Sequence, residues 1–238
     1  MSEGLVDALD VVSASYNYSH WIYSLLRPYV KGAVLDVGSG FGVIPKQFER
    51  TRVTKLILTD IGPEMLRLLQ KERFPVNDCE TIELDITSDS SLKRFPHREI
   101  DVVTCVNVLE HIPDDVAALR HMYELLKPGG HAVIFVPALQ GIYGTLDKCV
   151  GHVRRYRRSS LRPAMEKAGF VVERAQYMNM LGIATWFLAG RVRKYKRFSV
   201  RGCRRLDRVV PILKGVEKVL RPPIGQSLLM VGRKPAMR

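Results

Sequence analysis

Five short runs rich in Val, Ile and Leu recur along the chain: AVLDVG (33–38), KLILTD (55–60), TIELDI (81–86), IDVVTCVNV (100–108) and HAVIFVP (131–137). Helix-like segments separate them. Strands that read as continuous apolar runs, not as alternating ones, are covered on both faces, as in a parallel sheet flanked by helices. The predicted fold class is therefore α/β, with a doubly wound, mostly parallel sheet. A strand near 170–178 and a last strand at SLLMVG bring the expected count to seven.

Helix signals fill the gaps. GVIPKQFER follows the first run, and PEMLRLLQKER, with Pro63 suited to a first helical turn, follows the second. A third helix is expected over about 113–126, opened by Pro113, Asp114 and Asp115 and closed by Pro128-Gly129-Gly130. The 238 residues fit one domain of this kind with appendages. We expect residues 1–30 to form a helical lid and residues 140–225, which include a helix near 158–168, a cap inserted around the core.

Charge divides the chain. Residues 1–140 hold 14 Lys+Arg against 19 Asp+Glu, a net −5, whereas residues 141–238 hold 23 against 5, a net +18. A basic rear half suits an anionic partner, whether a phosphorylated substrate, a nucleic acid or a membrane surface; a solvated basic face is the plain alternative. Four scattered cysteines (Cys79, Cys105, Cys149, Cys203) form no CxxC pair, so neither a disulfide framework nor a zinc site is expected from them. No metal is expected elsewhere. The N-terminus lacks the plan of a signal peptide, which points to a cytoplasmic location. NMLGIATWFLAG (179–190) is apolar over about a dozen residues, short of the roughly 20 that span a bilayer. The polybasic RVRKYKRFSVRGCRR (191–205) follows it, so peripheral docking on an anionic membrane is one expectation and a buried helix with a solvated loop the other.

The stretch KGAVLDVGSGFG (31–42) carries the chemistry. A glycine-rich turn between a strand and a helix lets backbone approach a ligand at the carboxyl edge of an open sheet. The spacing of Gly38, Gly40 and Gly42 is GxGxG, not the GxGxxG of dinucleotide sites. Asp36 lies within the strand. A carboxylate there is unfavourable for a pyrophosphate and favourable for a cationic ligand, which points to a sulfonium cofactor.

VLDVGSGFG resembles the first signature of the class I S-adenosylmethionine-dependent methyltransferases, and the resemblance extends over about residues 17–138. It implies a Rossmann-like methyltransferase fold and S-adenosylmethionine as cofactor. By the same resemblance Asp60, ending the second strand, holds the ribose hydroxyls, and Asp85 accepts from the adenine amino group, with Ile61 and Ile86 flanking the ring. Gly38, Ser39, Gly40 and Asn107 line the cofactor, and Glu110 and His111 of VNVLEHIPD open the active-site mouth. LLKPGGHAVIFVP is similar to the family's turn into its fifth strand. Read by themselves, Asp36 and Asp85 are also suited to capping helices or turns, and His111 to an exposed loop. Tyr18 and Trp21 in SYNYSHWIYSLL are placed to shield a sulfonium, although core packing is the default for such residues. VNVLEHI differs from the Asn-Pro-Pro-aromatic sequence of enzymes that methylate base amino groups, and no cysteine sits in a nucleophile motif.

The rear stretch YGTLDKCVGHVRRYRRSSL (143–161) is similar to one that recurs in a bacterial branch of this family acting on small molecules and glycolipids. It supplies His152 as a base for the acceptor's proton, Asp147 to orient it, Arg154 and Arg155 to pair with an anionic acceptor, and Tyr143 and Tyr156 to close the site. Asn179 is placed to present an amide. Arg155, Tyr156 and Asp147 equally suit a purely structural tie between cap and core. The expected function is methyl transfer to oxygen or nitrogen of a small-molecule or lipid-linked acceptor. An RNA methyltransferase and a non-catalytic scaffold that binds S-adenosylmethionine are the alternatives; no nucleic-acid-binding module accompanies the charge.

Overall fold

The computed structural model describes residues 15–195 and 200–236. In chain order these give helix α1 (Tyr16–Leu26), β1 (Gly32–Val37), β2 (Val53–Asp60), α2 (Pro63–Lys71), β3 (Cys79–Glu83), α3 (Asp89–Arg94), β4 (Ile100–Val106), α4 (Asp115–Leu125) and β5 (Leu126–Pro137). There follow α5 (Thr145–Cys149), α6 (Arg158–Lys167), β6 (Val171–Met178), α7 (Met180–Phe187), α8 (Val200–Asp207), α9 (Val210–Leu220) and β7 (Ser227–Arg233). The strands form one seven-stranded sheet in the order β3-β2-β1-β4-β5-β7-β6. Pairing is parallel from β3 through β5, and β7 runs antiparallel to both its neighbours. The reversal of order between β1 and β4 opens the crevice in which such sheets bind ligands.

The apolar runs are continuous because each face of the sheet is buried separately. Leu35, Ile57, Val103 and Ile134 pack on one side, and Val34, Leu56, Val102 and Val133 on the other. The α4 signals read from sequence are in place: the Asp114 carboxylate accepts from the Ala117 N–H at 3.0 Å and caps the helix. Lys127–Gly130 form an outward loop within β5, since pairing with β4 passes from Ile100–Leu126 to Val102–His131.

Three expectations need correction. No full helix follows the glycine turn; the chain makes a 3-10 turn at Pro45–Gln47 and turns extended at Phe48, which it buries 5.8 Å from the Tyr23 ring. The 140–225 cap is interrupted, because α6 packs on the sheet and β6 pairs along the whole of β7, so residues 158–178 belong to the core. The N-terminal helix is a lid only in part: Tyr18 lines the cavity, whereas Trp21, Ile22, Tyr23 and Leu26 of α1 are core residues. Residues 1–14 of that segment, and 196–199 of the basic run 191–205, lie outside the described residues.

Two buried carboxylates join cap to core. Asp207, ending α8, accepts from the Asn17 and Tyr18 backbone N–H groups at 3.0 and 2.9 Å, at the start of α1. Glu217 of α9 accepts from the Asn179 and Met180 N–H groups at 2.9 and 2.6 Å, at the start of α7. Each satisfies otherwise unpaired donors at a helix N-terminus, where the helix dipole favours a negative charge.

Candidate active site

A cavity of about 360 Å³ lies between the carboxyl ends of β1 and β4 and the cap helices α7 to α9. That is within the range of small-molecule sites. At one end stand Asp36, Gly38, Ser39, Gly40 and Asn107, at the other Glu110, His111, His152 and Arg155, with Tyr18 and Asn179 also on its wall. Eleven residues read from sequence as functional thus line one space, although up to about 160 positions separate them.

The glycine turn is held tightly. Gly38 has φ +67°, and a Cβ added to it would sit 2.5 Å from Val108 Cγ2. Gly42, also at φ +67°, would meet the Phe74 ring at 2.7 Å. Neither position admits a side chain. Ser39 donates from its backbone to the Thr59 carbonyl at 2.8 Å, tying the turn to β2. Asp36 is buried; its Oδ1 accepts from Thr104 Oγ1 at 2.5 Å, and burial pushes its carboxyl up to about 6.

Asp60 does not line the cavity. Its two carboxylate oxygens accept from the Gly40 and Gly62 N–H groups at 3.2 and 3.0 Å, bracing the turn from the end of β2. Asp85 lies past β3, and its Oδ1 takes both the Thr87 N–H (2.9 Å) and hydroxyl (2.6 Å), closing a local turn. Ile61 is 68% exposed, whereas Ile86 is buried in the core, so only the first of the pair faces outward. Trp21 likewise packs into the core under the sheet while Tyr18, three residues away, reaches the cavity and shares a hydrogen bond with Ser227 Oγ at 3.2 Å.

At the opposite end Asp147 is fully buried and accepts four hydrogen bonds. His152 Nδ1 (2.9 Å) and Arg155 Nε (2.7 Å) reach Oδ1, and the Gly144 N–H (2.9 Å) and Trp186 Nε1 (3.0 Å) reach Oδ2. Burial raises its carboxyl, but the His152 and Trp186 hydrogen bonds and the Arg155 charge together bring it below the usual range. Arg155 is itself held by the Ala138 carbonyl (2.9 Å) and stacks over Trp186, 4.7 Å from the ring centre. His111 and His152 meet edge to face with ring centres 4.8 Å apart.

Several residues read as acceptor-binding are committed to the protein. Arg154 pairs with Asp115 (2.8 Å) and donates to the Pro113 carbonyl (2.6 Å), fixing the loop to the start of α4. The Tyr156 hydroxyl donates to Asp115 at 2.8 Å, and that of Tyr143 to the His152 carbonyl at 2.7 Å. Asn179 adopts φ +61° and caps α7, its Oδ1 accepting from Gly182 N (3.0 Å) and its Nδ2 donating to Gln226 (2.7 Å). None of Tyr143, Asp147, Arg154 and Tyr156 is on the cavity wall. Glu110, read only as part of the mouth, is completely buried with both carboxylate oxygens unpartnered; burial raises its pKa to about 8. Its burial depends on Val150 to Arg155, forty residues on, which no local pattern reveals.

A family model described as a methyltransferase domain matches residues 14–175. The ubiquinone biosynthesis O-methyltransferase of Vibrio cholerae is 35% identical over 120 residues, 50% of this chain and 46% of the relative. That of Proteus mirabilis is 37% identical over 100 residues, 41% of this chain and 39% of the relative. The matched segment therefore spans under half the length of these curated relatives. Among solved structures, a chain from the complex between the Haloferax volcanii Trm112 methyltransferase activator and a methyltransferase superposes with TM-score 0.66, at 19% identity over 100% of this chain and 99% of that one. The S-adenosylmethionine-dependent methyltransferase of Mesorhizobium loti gives 0.59, at 15% identity over 89% and 95%. At such identities the likeness concerns the fold.

Proposed function

Because the chain belongs to the class I S-adenosylmethionine-dependent methyltransferases, we propose that it methylates an oxygen or nitrogen atom of a small-molecule or lipid-linked acceptor. The observation that carries this reading is the single cavity joining the glycine turn to the His152 end. When bound, S-adenosylmethionine supplies an electrophilic methyl group on a sulfonium. The residues fit such a cation: Asp36 offers a buried carboxylate on the wall, and Gly38, Ser39 and Gly40 expose backbone with no bulky side chain in the way. Asp60, bracing the turn with one lone pair on each oxygen, keeps further acceptor capacity for ribose hydroxyls, with Ile61 beside it.

The acceptor enters from the cap side, where α7, α8 and α9 present Leu181, Leu206, Val209 and Leu213 to the cavity. This apolar entrance supports an acceptor with a hydrocarbon part. The naming of the curated relatives for O-methyl transfer in ubiquinone biosynthesis supports oxygen. A hydroxyl must lose its proton, and His152 is suited to take it: Nδ1 donates to Asp147, so Nε2 presents a lone pair, and the Asp147 carboxylate stabilises the imidazolium that forms. Behind His152 the Asp147 and Arg155 side chains are buried and Trp186 is half-buried.

Calorimetry of the full chain with S-adenosylmethionine tests the first step. We expect one site, weakened at least tenfold in Asp60→Ala; absence of binding by folded wild type would sink the enzyme reading. His152→Ala should lower kcat by about 10²- to 10⁴-fold, the usual worth of a general base, and leave cofactor affinity within twofold. A parallel fall in cofactor affinity and thermal stability would instead make His152 a strut of the cap.

A further inference from the structure

Glu110, His111 and His152 do more than border the cavity. Glu110 and His111 sit on the 3-10 turn Leu109–His111 after β4, and His152 on the loop after α5. One ligand atom from each lies within 4.8 Å of the other two. Nδ1 of His152 meets Asp147 Oδ1 at 2.9 Å and Nδ1 of His111 meets the Gly151 carbonyl at 3.3 Å. Both partners are acceptors, so both Nδ1 atoms carry the proton and both Nε2 atoms present lone pairs. A carboxylate or carbonyl behind the ring is the arrangement that orients a metal-bound histidine and raises its basicity.

Glu110 supplies the independent observation. It is fully buried, both its oxygens are unpartnered, and it lines the same cavity. Its Oε1 stands 3.6 Å from His152 Nε2, too long for a hydrogen bond. Two ligands each about 2.0–2.2 Å from one cation are themselves roughly 3–3.5 Å apart, so this pair is already close to the edge of a coordination polyhedron. Drawing His111 in by about an ångström completes three neighbouring corners. A buried carboxylate without a partner is costly, and a cation removes that cost.

We infer that Glu110, His111 and His152 bind one divalent transition-metal ion of the Zn²⁺ or Mn²⁺ class, with open positions toward the cavity for an oxygen of the acceptor. Two imidazoles and one carboxylate favour such ions over Mg²⁺ or Ca²⁺, which prefer oxygen ligands throughout. The site deepens the function proposed above and rests on its placement of the acceptor. A hydroxyl held by the cation has its pKa lowered: the O–H bond breaks, the electron pair stays on oxygen, and the proton leaves to solvent. His152 is then a ligand in place of a base, and Asp147 is the positioning residue behind it.

The test uses the full chain stripped with a chelator and titrated calorimetrically with Zn²⁺ and Mn²⁺, with Co²⁺ as a visible-absorption probe. One cation per chain is expected, weakened at least tenfold by Glu110→Gln or His111→Ala and by about 10- to 100-fold in Asp147→Asn, the usual effect of losing such a partner. S-adenosylmethionine affinity of each variant serves as the folding control, and Co²⁺ absorption of wild type stands by itself if a variant misfolds. Cation binding no tighter in wild type than in a Glu110→Gln/His111→Ala double variant would overturn the site. Full methyl transfer by the chelated protein would overturn the cation's part in activating the acceptor and leave His152 as its base. Tight cation binding without methyl transfer to any acceptor would uphold the site and count against the proposed function.

Discussion

Asp36 is a buried carboxylate whose position suits its ligand better than its fold. Its folded pKa of about 6 lies above the ordinary 3.8 because burial disfavours the charge. Stabilisation by the protonated form is complete below the unfolded pKa and is lost as pH rises through about 6, so near pH 7.5 the ligand-free protein carries a penalty of up to ~3 kcal/mol. Asp36→Asn keeps an acceptor for Thr104 and should raise the melting temperature at pH 7.5 by several degrees. The same substitution should weaken cofactor binding. In wild type the affinity for the cationic cofactor should climb between pH 5 and 7.5 as Asp36 ionises, and that slope should vanish in Asp36→Asn. Calorimetry at the two pH values decides it; an unchanged slope would remove Asp36 from the site. Asp36, the glycines and His152 were legible in the sequence because strand, turn and motif are local. Asp85 as a turn cap was legible for the same reason, since its partner Thr87 is two residues away; Glu110 in its buried state was not, since it depends on what the tertiary fold lays over it.

At the scale of elements, α7 is held by a residue that no pattern in its own sequence announces. Glu217 caps it from α9 through the Asn179 and Met180 N–H groups, and α7 in turn brings Leu181, Thr185 and Trp186 to the cavity. Removing that carboxylate leaves two donors unsatisfied at a helix N-terminus. Glu217→Ala should cost about 1–3 kcal/mol and raise the KM for the acceptor, with the cofactor Kd nearly unchanged. Hydrogen exchange offers the local check: protection should fall first in residues 179–187, and a uniform fall across the sheet would show that the cap and core melt together. The strands of the front half were readable because their apolar runs carry their own burial signal. Within the cap the helix near 158–168 and the strand near 170–178 were readable too, as α6 and β6; that they return to the sheet and split the cap was not, because β6 pairs with β7, which is distant in sequence.

The chain concentrates its positive charge in residues 141–238, and the cap adds an apolar face. On α9 and at its N-cap Val209, the residues Val209, Ile212, Val216, Val219 and Leu220 recur at helical spacing and are exposed, Val219 to 81% and Ile212 to 68%. Arg204, Arg205, Arg208, Lys218 and Arg221 are the exposed cations around them. No described helix is long and apolar enough to cross a membrane. An apolar stripe within a basic rim is suited to lie on an anionic lipid surface, each nearby Lys or Arg adding about 1 kcal/mol of attraction, with the acceptor entrance facing the lipid. The full chain should therefore sediment with vesicles containing phosphatidylglycerol and not with phosphatidylcholine alone. Ile212→Glu with Val219→Glu should reduce that binding at least tenfold while leaving cofactor affinity alone, because neither residue touches the cavity. Salt distinguishes the apolar face from charge by itself: binding carried by both should fall with ionic strength yet retain a fraction that the double variant loses. If bulk RNA displaced the protein from vesicles and bound the double variant as tightly as wild type, the basic rear would be following phosphates, and the lipid surface would not be its partner.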